Sequence, residues 1–463
     1  MGTLDELRAV VGDAGFVEGD ALEPYTHDAT FMRGAVAAAL RPAGVEEVAR
    51  VLAICNDAGM PVVARGGGTS LVGGPVALAG GVVLSLERMR TIEVDAPNAC
   101  AVVEAGAING DLRRAAAAEG LWYPPDPSSM EISTIGGNVA CNAGGICCLK
   151  YGVTADYVIG MTVVLADGAV IELGGRTRKR SSGYRLAQLF VGSEGTLGVI
   201  TSVCVKLIPL PRARRVALVA FADIVAAGEA VARLLGAGHL PCALELLDRG
   251  ALELVADRLP AGFATGAGAA LLVEQDGGDG DVVEQELAAM VALLGGIDER
   301  IAVDAQQRER LWQARRDVGV VALEAPGVSA FSEDVVVPIA QIPAMLARIE
   351  AIRARTRLRI PVVGHAGDGN LHPIILFGEH ERDRVGAVAE EIFEAAVALG
   401  GSISAEHGLG ALKRDHAVLE HSDRALALMR ALKAQLDPNA ILNPHKVLPE
   451  GPADAGFLER LPR

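Results

Sequence analysis

The chain has 463 residues, 51% of them hydrophobic, and a formal net charge of −16, enough for two or three domains with cores of their own. That acidic balance excludes general affinity for nucleic acid, because phosphate contacts need clustered Lys and Arg, and the one basic run, Arg176–Arg185, reads as a solvated loop. No stretch of about 18 uncharged apolar residues marks a membrane span, and the closest, Val216–Leu235, is broken by Asp223, Glu229 and Arg233.

The N-terminus shows no basic region followed by an apolar one, so no secretory signal is read and the expected location is the cytoplasm. The seven cysteines form no CxxC pair, which leaves iron–sulfur and zinc-finger readings without support. Cys147 and Cys148 are neighbours, readable as a redox pair or as small buried hydrophobes.

In chain order, Leu4–Val11 reads as a short helix and Val45–Ala58 as an amphipathic one stopped by Gly59 and Pro61. The apolar strand Val62–Ala64 runs directly into Arg65-Gly-Gly-Gly-Thr-Ser-Leu-Val-Gly-Gly74. Glycines let backbone N–H groups approach an anion closely, and Thr69 and Ser70 add hydroxyl donors. That is the chemistry of a pyrophosphate cradle. With no lysine following and no convincing G-x-G-x-x-G, a P-loop and a nicotinamide-binding fold are both disfavoured.

Three short strands (Val82–Leu86, Ile92–Val94, Ala101–Glu104) and a helix, Asn109–Glu119, come next. A proline loop, Tyr123–Ser129, leads to a second glycine-rich wall in Ser133–Asn138 and Asn142–Gly145. Val158–Leu165 and Val170–Leu173 around Asp167-Gly168 form a hairpin pattern, followed by Gly192-Ser-Glu-Gly-Thr-Leu-Gly198 and a strand over Val199–Ile208. Prolines 209 and 211 mark a boundary.

Beyond it, strand-like Val216–Phe221, Ala243–Leu247 and Ala269–Gln275 alternate with helical Ala226–Gly236 and Val282–Leu294, the pattern of a small α+β layer domain. Gly277–Asp281 reads as a solvated turn. Helices are expected over Arg308–Ala322, Pro343–Thr356, Val385–Leu399 and Lys413–Gln435. Ser332–Pro338, Val362–Val363 and Pro373–Phe377 are expected as strands.

Two histidines, His365 and His372, flank a glycine turn with Asp368 and Asn370, and Glu406-His407 follow 34 positions after His372, again before glycine. Imidazole and carboxylate suit a borderline divalent ion such as zinc, with a coordination position left open. Asp368 and Asn370 are read as holding the turn through local backbone bonds.

These residues resemble the FAD-linked 2-hydroxy-acid dehydrogenases of the vanillyl-alcohol-oxidase flavoproteins. The group includes D-lactate dehydrogenases, the glycolate oxidase FAD subunit and D-2-hydroxyglutarate dehydrogenase. The resemblance spans roughly residues 20–448 and rests on six ordered motifs: Pro61–Gly74, Pro124–Gly145, Gly192–Ile200, Gly364–His372, Glu406–Gly410 and Leu436–Lys446.

The resemblance implies an α+β fold: a two-subdomain PCMH-type FAD-binding domain, a ferredoxin-like α+β cap, and a C-terminal segment returning to the FAD domain. The expected boundaries are an N-terminal segment to 34, the FAD domain over 35–211, the cap over 212–405 and the C-terminal segment over 406–463. It implies non-covalent FAD on Arg65, Gly66, Gly67, Gly68, Thr69, Ser70 and Gly73, with Pro125, Asp126, Ser129, Thr134, Gly136, Gly137, Asn142, Gly144, Tyr151, Glu194 and Ile200 lining the rest. Asn443 and Lys446 would return towards the isoalloxazine. His365, His372 and Glu406 match metal-ligand positions (zinc, with manganese or iron as alternatives), His407 the active-site base, and Arg315 the arginine that grips a substrate carboxylate.

Gly319, Ser332 and Ile374 stand where the hydroxyglutarate branch carries polar side chains, which favours a substrate with a smaller or less polar R-group. The expected activity is oxidation of a D-2-hydroxy acid to the 2-oxo acid. The electron acceptor is left among a quinone, a cytochrome, an electron-transfer flavoprotein or a dye, and peripheral membrane docking and a homodimer stay open. Rival readings are an oxygen-using oxidase, an FAD subunit of a larger complex, and a flavin-free metallohydrolase. His445 is left undecided, and His27 and Asp28 are read as closing an entry loop.

Overall fold

The computed structural model describes residues 2–263, 266–324, 328–453 and 456. The chain divides into two compact units, one of Met1–Gly144, Val153–Leu210 and Glu406–Arg463, the other of Gly145–Gly152 and Pro211–Ala405.

The first unit contains two main sheets. In the smaller, Phe16–Val17, Ala38–Leu40, Val82–Ser85 and Val62–Arg65 lie side by side, the last three parallel. Helix Val45–Asp57 buries Val48, Val51, Leu52 and Cys55, one stripe at helical spacing, and Gly59 in the left-handed region (φ +61°) ends it. These side chains share a core with Leu7, Val82 and Leu84, and with Ile441 and Leu442 from near the C-terminus. The returning segment is tied to strand Val62–Arg65 by Val62 N–H to the Ile441 carbonyl (2.8 Å) and Asn443 N–H to the Val62 carbonyl (2.8 Å).

The second sheet orders Ile92–Asp95, Cys100–Glu104, Val199–Lys206, Val158–Val164 and Val170–Gly174, all antiparallel. The expected hairpin is present, with Val164 opposite Val170. The strand read over Val199–Ile208 splits into Val199–Lys206 and Ile208–Pro209, the latter pairing with Leu121–Trp122.

The second unit is built on one antiparallel sheet in the order Asp298–Ile301, Ala213–Phe221, Ala269–Gly277, Ala243–Asp248, Val362–His365, Asn370–Phe377, Ser329–Ser332. The strand–helix alternation does not produce parallel pairing among the described strands. Val216, Leu218 and Ala220 share a core with Trp312 and Val318 of helix Ala305–Glu324. The intervening Ala217, Val219 and Phe221 are buried too, and helices Ile224–Gly236 and Gly280–Leu294 pack on this strand. Burial on both faces explains why these strands read as continuous apolar runs rather than alternating ones.

Two further expectations are corrected. The helix read over Lys413–Gln435 is a 3-10 turn, Arg414–Leu419, followed by helix Asp423–Leu436. The Ser422 hydroxyl accepts the Ala425 N–H (3.3 Å) and starts a new helix there. The strand read over Ser332–Pro338 is two pieces, Ser329–Ser332 and Val335–Val336, both paired with Asn370–Phe377 and separated at Glu333-Asp334. The second glycine wall is partly helical: Thr134 caps helix Ile135–Cys141 by accepting the Gly137 N–H (3.2 Å).

Candidate functional site

In the first unit, strand Val62–Arg65 ends at the glycine loop, which lies against the N-terminus of helix Ile135–Cys141. A Cβ on Gly66 would stand 2.2 Å from Thr134 Oγ1, and one on Gly67 would stand 2.4 Å from the Ile132 carbonyl oxygen. Only glycine allows this approach. Asp28 closes the loop from outside, its Oδ2 accepting the Gly73 N–H (2.9 Å), while Ser70 Oγ accepts from Val72 and Gly74 (3.2 Å each). Burial raises the Asp28 pKa above its ordinary value and lowers that of Arg65.

Arg65 Nη2 donates to the Pro24 carbonyl (2.8 Å), whereas its Nη1 is buried with no partner among the described residues. Asn109 Oδ1, Ser133 Oγ, Asn138 Nδ2 and Asn443 Oδ1 are likewise buried and unpartnered. A group of buried, unsatisfied donors and acceptors around two glycine walls is costly unless a polar ligand completes it. A dinucleotide, with phosphates, ribose and ring edges, has the chemistry to do so. These residues therefore fit FAD.

Thr69, Pro125, Asp126, Ser129, Gly136, Asn142 and Gly144 also lie in this unit. A Cβ on Gly136 would meet the Ala105 Cβ at 2.5 Å, and Asn142, in the left-handed region, accepts the Ala155 N–H through Oδ1 (2.8 Å). Ile200 packs in the core with Tyr123 and Ile135. Tyr151 belongs to the second unit, where its hydroxyl and Lys150 both bond Asp276.

Glu194 is buried, with its backbone in the left-handed region (φ +49°). Both its carboxylate oxygens are engaged, by the N–H groups of Leu409 (2.8 Å) and Gly410 (2.9 Å). Burial pushes its pKa up to about 7, against those two N–H groups and Lys446, which pull it down. Lys446 donates to the Val76 carbonyl (2.8 Å), and burial lowers it to about 8. Asn443 Nδ2 ties the Gly74 and Glu194 carbonyls together (3.1 and 2.7 Å). His407 Nε2 stands 3.9 Å from the carboxylate of Glu406. His445 faces Glu450 near the surface.

In the second unit, His365 and His372 sit on adjacent antiparallel strands with ring centroids 5.3 Å apart, edge to face. His365 Nδ1 meets Glu245 Oε1 at 2.6 Å, and Glu245 Oε2 pairs with Arg315 Nη2 at 2.8 Å. Burial alone would raise the Glu245 pKa, but His365 and Arg315 bring it below the ordinary value. His372 Nδ1 faces the Glu333 carbonyl (3.3 Å) and stands 3.8 Å from Asp334. Asp334 is bonded by Asn370 Nδ2, Ser404 Oγ and the Ala405 N–H (2.8, 2.9 and 2.9 Å). Ala405 is the residue immediately before Glu406. Imidazoles held at Nδ1 present Nε2, and with neighbouring carboxylates they offer a donor set suited to a divalent cation.

Sequence reading named His365, His372 and Arg315 but missed Glu245 and the part played by Asp334. The available signal was a charged residue inside the otherwise apolar run Ala-Leu-Glu-Leu-Leu of a fully buried strand. Among the substitutions read as shaping the substrate, Ser332 lies directly opposite Ile374. Ile374 is packed in the core with Trp312, so its apolar side chain serves packing.

Comparison with known proteins agrees with both halves of this description. The family described as "FAD binding domain" matches residues 36–174, and "FAD linked oxidases, C-terminal domain" matches residues 210–447. The chain is 41% identical to glycolate oxidase subunit GlcD of Bacillus subtilis, covering 96% of each chain. It is 37% identical to a D-lactate dehydrogenase of Archaeoglobus fulgidus, over 97% of this chain and 99% of the relative. Among solved structures, p-cresol methylhydroxylase shares the fold at a TM-score of 0.77 with 19% identity, covering 96% of each chain. Alkyldihydroxyacetonephosphate synthase does so at 0.76 with 18% identity, over 96% of this chain and 85% of that one. With its paired glycine walls and its two family matches, the chain belongs to the FAD-linked oxidase family of flavoproteins and is an FAD-dependent oxidoreductase.

Proposed function

We propose that the protein is a dehydrogenase that oxidises a D-2-hydroxy acid of the glycolate, D-lactate or D-2-hydroxyglutarate class to the 2-oxo acid. The observation that carries this reading is the buried row Arg315–Glu245–His365 beside His372 and Asp334, in a chain whose relatives are named glycolate oxidase subunit and D-lactate dehydrogenase. FAD is assigned to the residues around the two glycine walls, from Arg65–Gly73 to Asn443. A divalent ion, zinc first with manganese and iron as alternatives, is assigned to His365, His372 and Glu406, and Asp334, 3.8 Å from His372, joins these candidates.

When bound, the flavin would supply the hydride acceptor and the cation would supply the charge that acidifies the substrate hydroxyl. Within that setting, Arg315 presents a two-pronged fork to the substrate carboxylate, its orientation held by Glu245. His407 takes the hydroxyl proton. Glu245 and the Glu333 carbonyl fix the imidazoles of His365 and His372, so that little reorganisation is needed when substrate arrives.

We assign the protein to the cytoplasm, with a quinone, a cytochrome or an electron-transfer flavoprotein as acceptor; no helix among the described residues is long and apolar enough to cross a membrane. A second reading, the FAD subunit of a glycolate-oxidase-type complex, is favoured by the word "subunit" in the name of the Bacillus relative. Anaerobic titration of the purified protein with each acid, with and without chelator, tests the proposal. Bleaching of the flavin band by one acid, lost on chelation, is the expected result. A flavin that no 2-hydroxy acid bleaches would overturn it.

A further inference from the structure

The residues Gly192–Gly198 resemble a flavin-binding turn, yet the side chain of Glu194 is committed elsewhere. Its two oxygens accept the N–H groups of Leu409 and Gly410, two and three positions after His407. A Cβ on the intervening Gly408 would lie 2.7 Å from Glu194 Oε1, so the turn closes directly over the carboxylate.

The arrangement is conformationally expensive. Glu194 has φ +49°, Asn443 +40° and Val447 +63°, all non-glycine residues in the left-handed region, which Asn tolerates but which is unfavourable for Glu and most of all for the β-branched Val. Each is held by a specific bond. Glu194 N–H donates to the Ala140 carbonyl (2.8 Å), Val447 N–H to the Gly410 carbonyl (3.0 Å), and Asn443 Nδ2 to the Glu194 carbonyl (2.7 Å). A buried carboxylate in a strained backbone, with both oxygens on a single turn, is more than packing requires. Local strain of this kind is retained where the surrounding structure over-determines a functional geometry.

We propose that Glu194 is a positioning residue for the reaction: its carboxylate clamps the Gly408–Gly410 turn and thereby fixes the placement of His407. This rests on the reading of His407 as the base. Lys446, buried nearby, favours the anionic form of the clamp against the burial that opposes it. The N–H groups at Leu409 and Gly410 need an acceptor oxygen each, and a neutral amide offers one oxygen and turns an N–H₂ towards the other donor.

The test is a double-mutant cycle on the full-length FAD-loaded protein, with Glu194→Gln, His407→Gln and the pair. Backbone amide exchange is followed over Leu409 and Gly410. Glu194→Gln is expected to keep its flavin, to speed exchange of those two amides, and to lower kcat on the order of 10²-fold with KM changed far less. In the His407→Gln background, the same substitution should have no further effect on kcat. Equal losses in both backgrounds, or unchanged amide exchange, would overturn the clamp. Full turnover by His407→Gln alone would instead sink the base assignment, and the exchange measurement would still judge whether Glu194 holds the turn. Loss of flavin in Glu194→Gln would also overturn the proposal, returning Glu194 to the cofactor site.

Discussion

Glu245 Oε1 lies 2.6 Å from His365 Nδ1, while the other oxygen of the same carboxylate pairs with Arg315 at 2.8 Å. One buried acid thus couples a candidate metal ligand to the candidate substrate-binding arginine. A carboxylate at Nδ1 fixes the ring and raises the basicity of Nε2, a role whose loss typically weakens metal binding about 10–100-fold. Glu245→Gln should therefore bind divalent metal more weakly by that order, measured by competition with a chromophoric chelator. Unchanged metal affinity would remove Glu245 from the site.

The pH dependence of stability should carry the signature of Glu194. Its folded-state pKa is raised from 4.5 to about 7, so between those values the folded chain holds more protons than the unfolded one. Folding stability contributed by this group then falls as pH rises through that window. Lys446, lowered from 10.5 to about 8, acts in the opposite sense at alkaline pH, where the unfolded chain holds the extra proton. Comparing melting temperatures of the wild type and Glu194→Gln from pH 4.5 to 7 isolates the first effect. The difference, wild type minus variant, should decrease as pH rises; a flat difference would contradict the raised pKa of the buried Glu194.

The glycine loop makes a sharper structural prediction. Gly67→Ala places a methyl 2.4 Å from the Ile132 carbonyl oxygen, and Gly66→Ala places one 2.2 Å from the capping hydroxyl of Thr134. Backbone cannot yield as a side chain can, so Gly67→Ala should be the more damaging. Purified Gly67→Ala should hold at least about tenfold less flavin per chain at limiting FAD, a difference of about 1.4 kcal/mol. Stoichiometric flavin in that variant would show that the loop is not the cradle.

Asp276 anchors residues 145–152 within the second unit, taking Lys150 Nζ at 2.6 Å and the Tyr151 hydroxyl at 2.8 Å. Its side chain is fully buried. Removing Asp276 leaves the half-buried Lys150 and Tyr151 without that acceptor and costs about 1–3 kcal/mol. Asp276→Ala should lose stability of that order in chemical denaturation. A loss near zero would mean that Lys150 and Tyr151 find other partners at no cost.

Local pattern carried much of the secondary structure. The stripe Val48, Val51, Leu52 and Cys55 defines a helix whatever it packs against, and alternation around Asp167-Gly168 defines a hairpin, because both signals reside within a few neighbouring residues. The break at Ser422 was less legible, since a cap is recognised by a bond to the Ala425 N–H rather than by composition. Glu333 and Asp334 interrupt an expected strand for a similar reason: Asp334 is bound by Ser404 and Ala405, about 70 residues away.

By itself the sequence marked the two glycine walls and the α+β character of the second half, because residue type and short-range spacing suffice for each. The wider fold and the roles of the histidines and carboxylates came through the family resemblance. Only the tertiary structure decided which charges meet. Glu245 is 70 positions from Arg315 and 120 from His365, yet adjacent strands and a packed helix bring all three together. Glu194 lies more than 200 positions before the turn it holds. A buried ion's partner is chosen by strand register and desolvation, neither of which is written in the residues beside it.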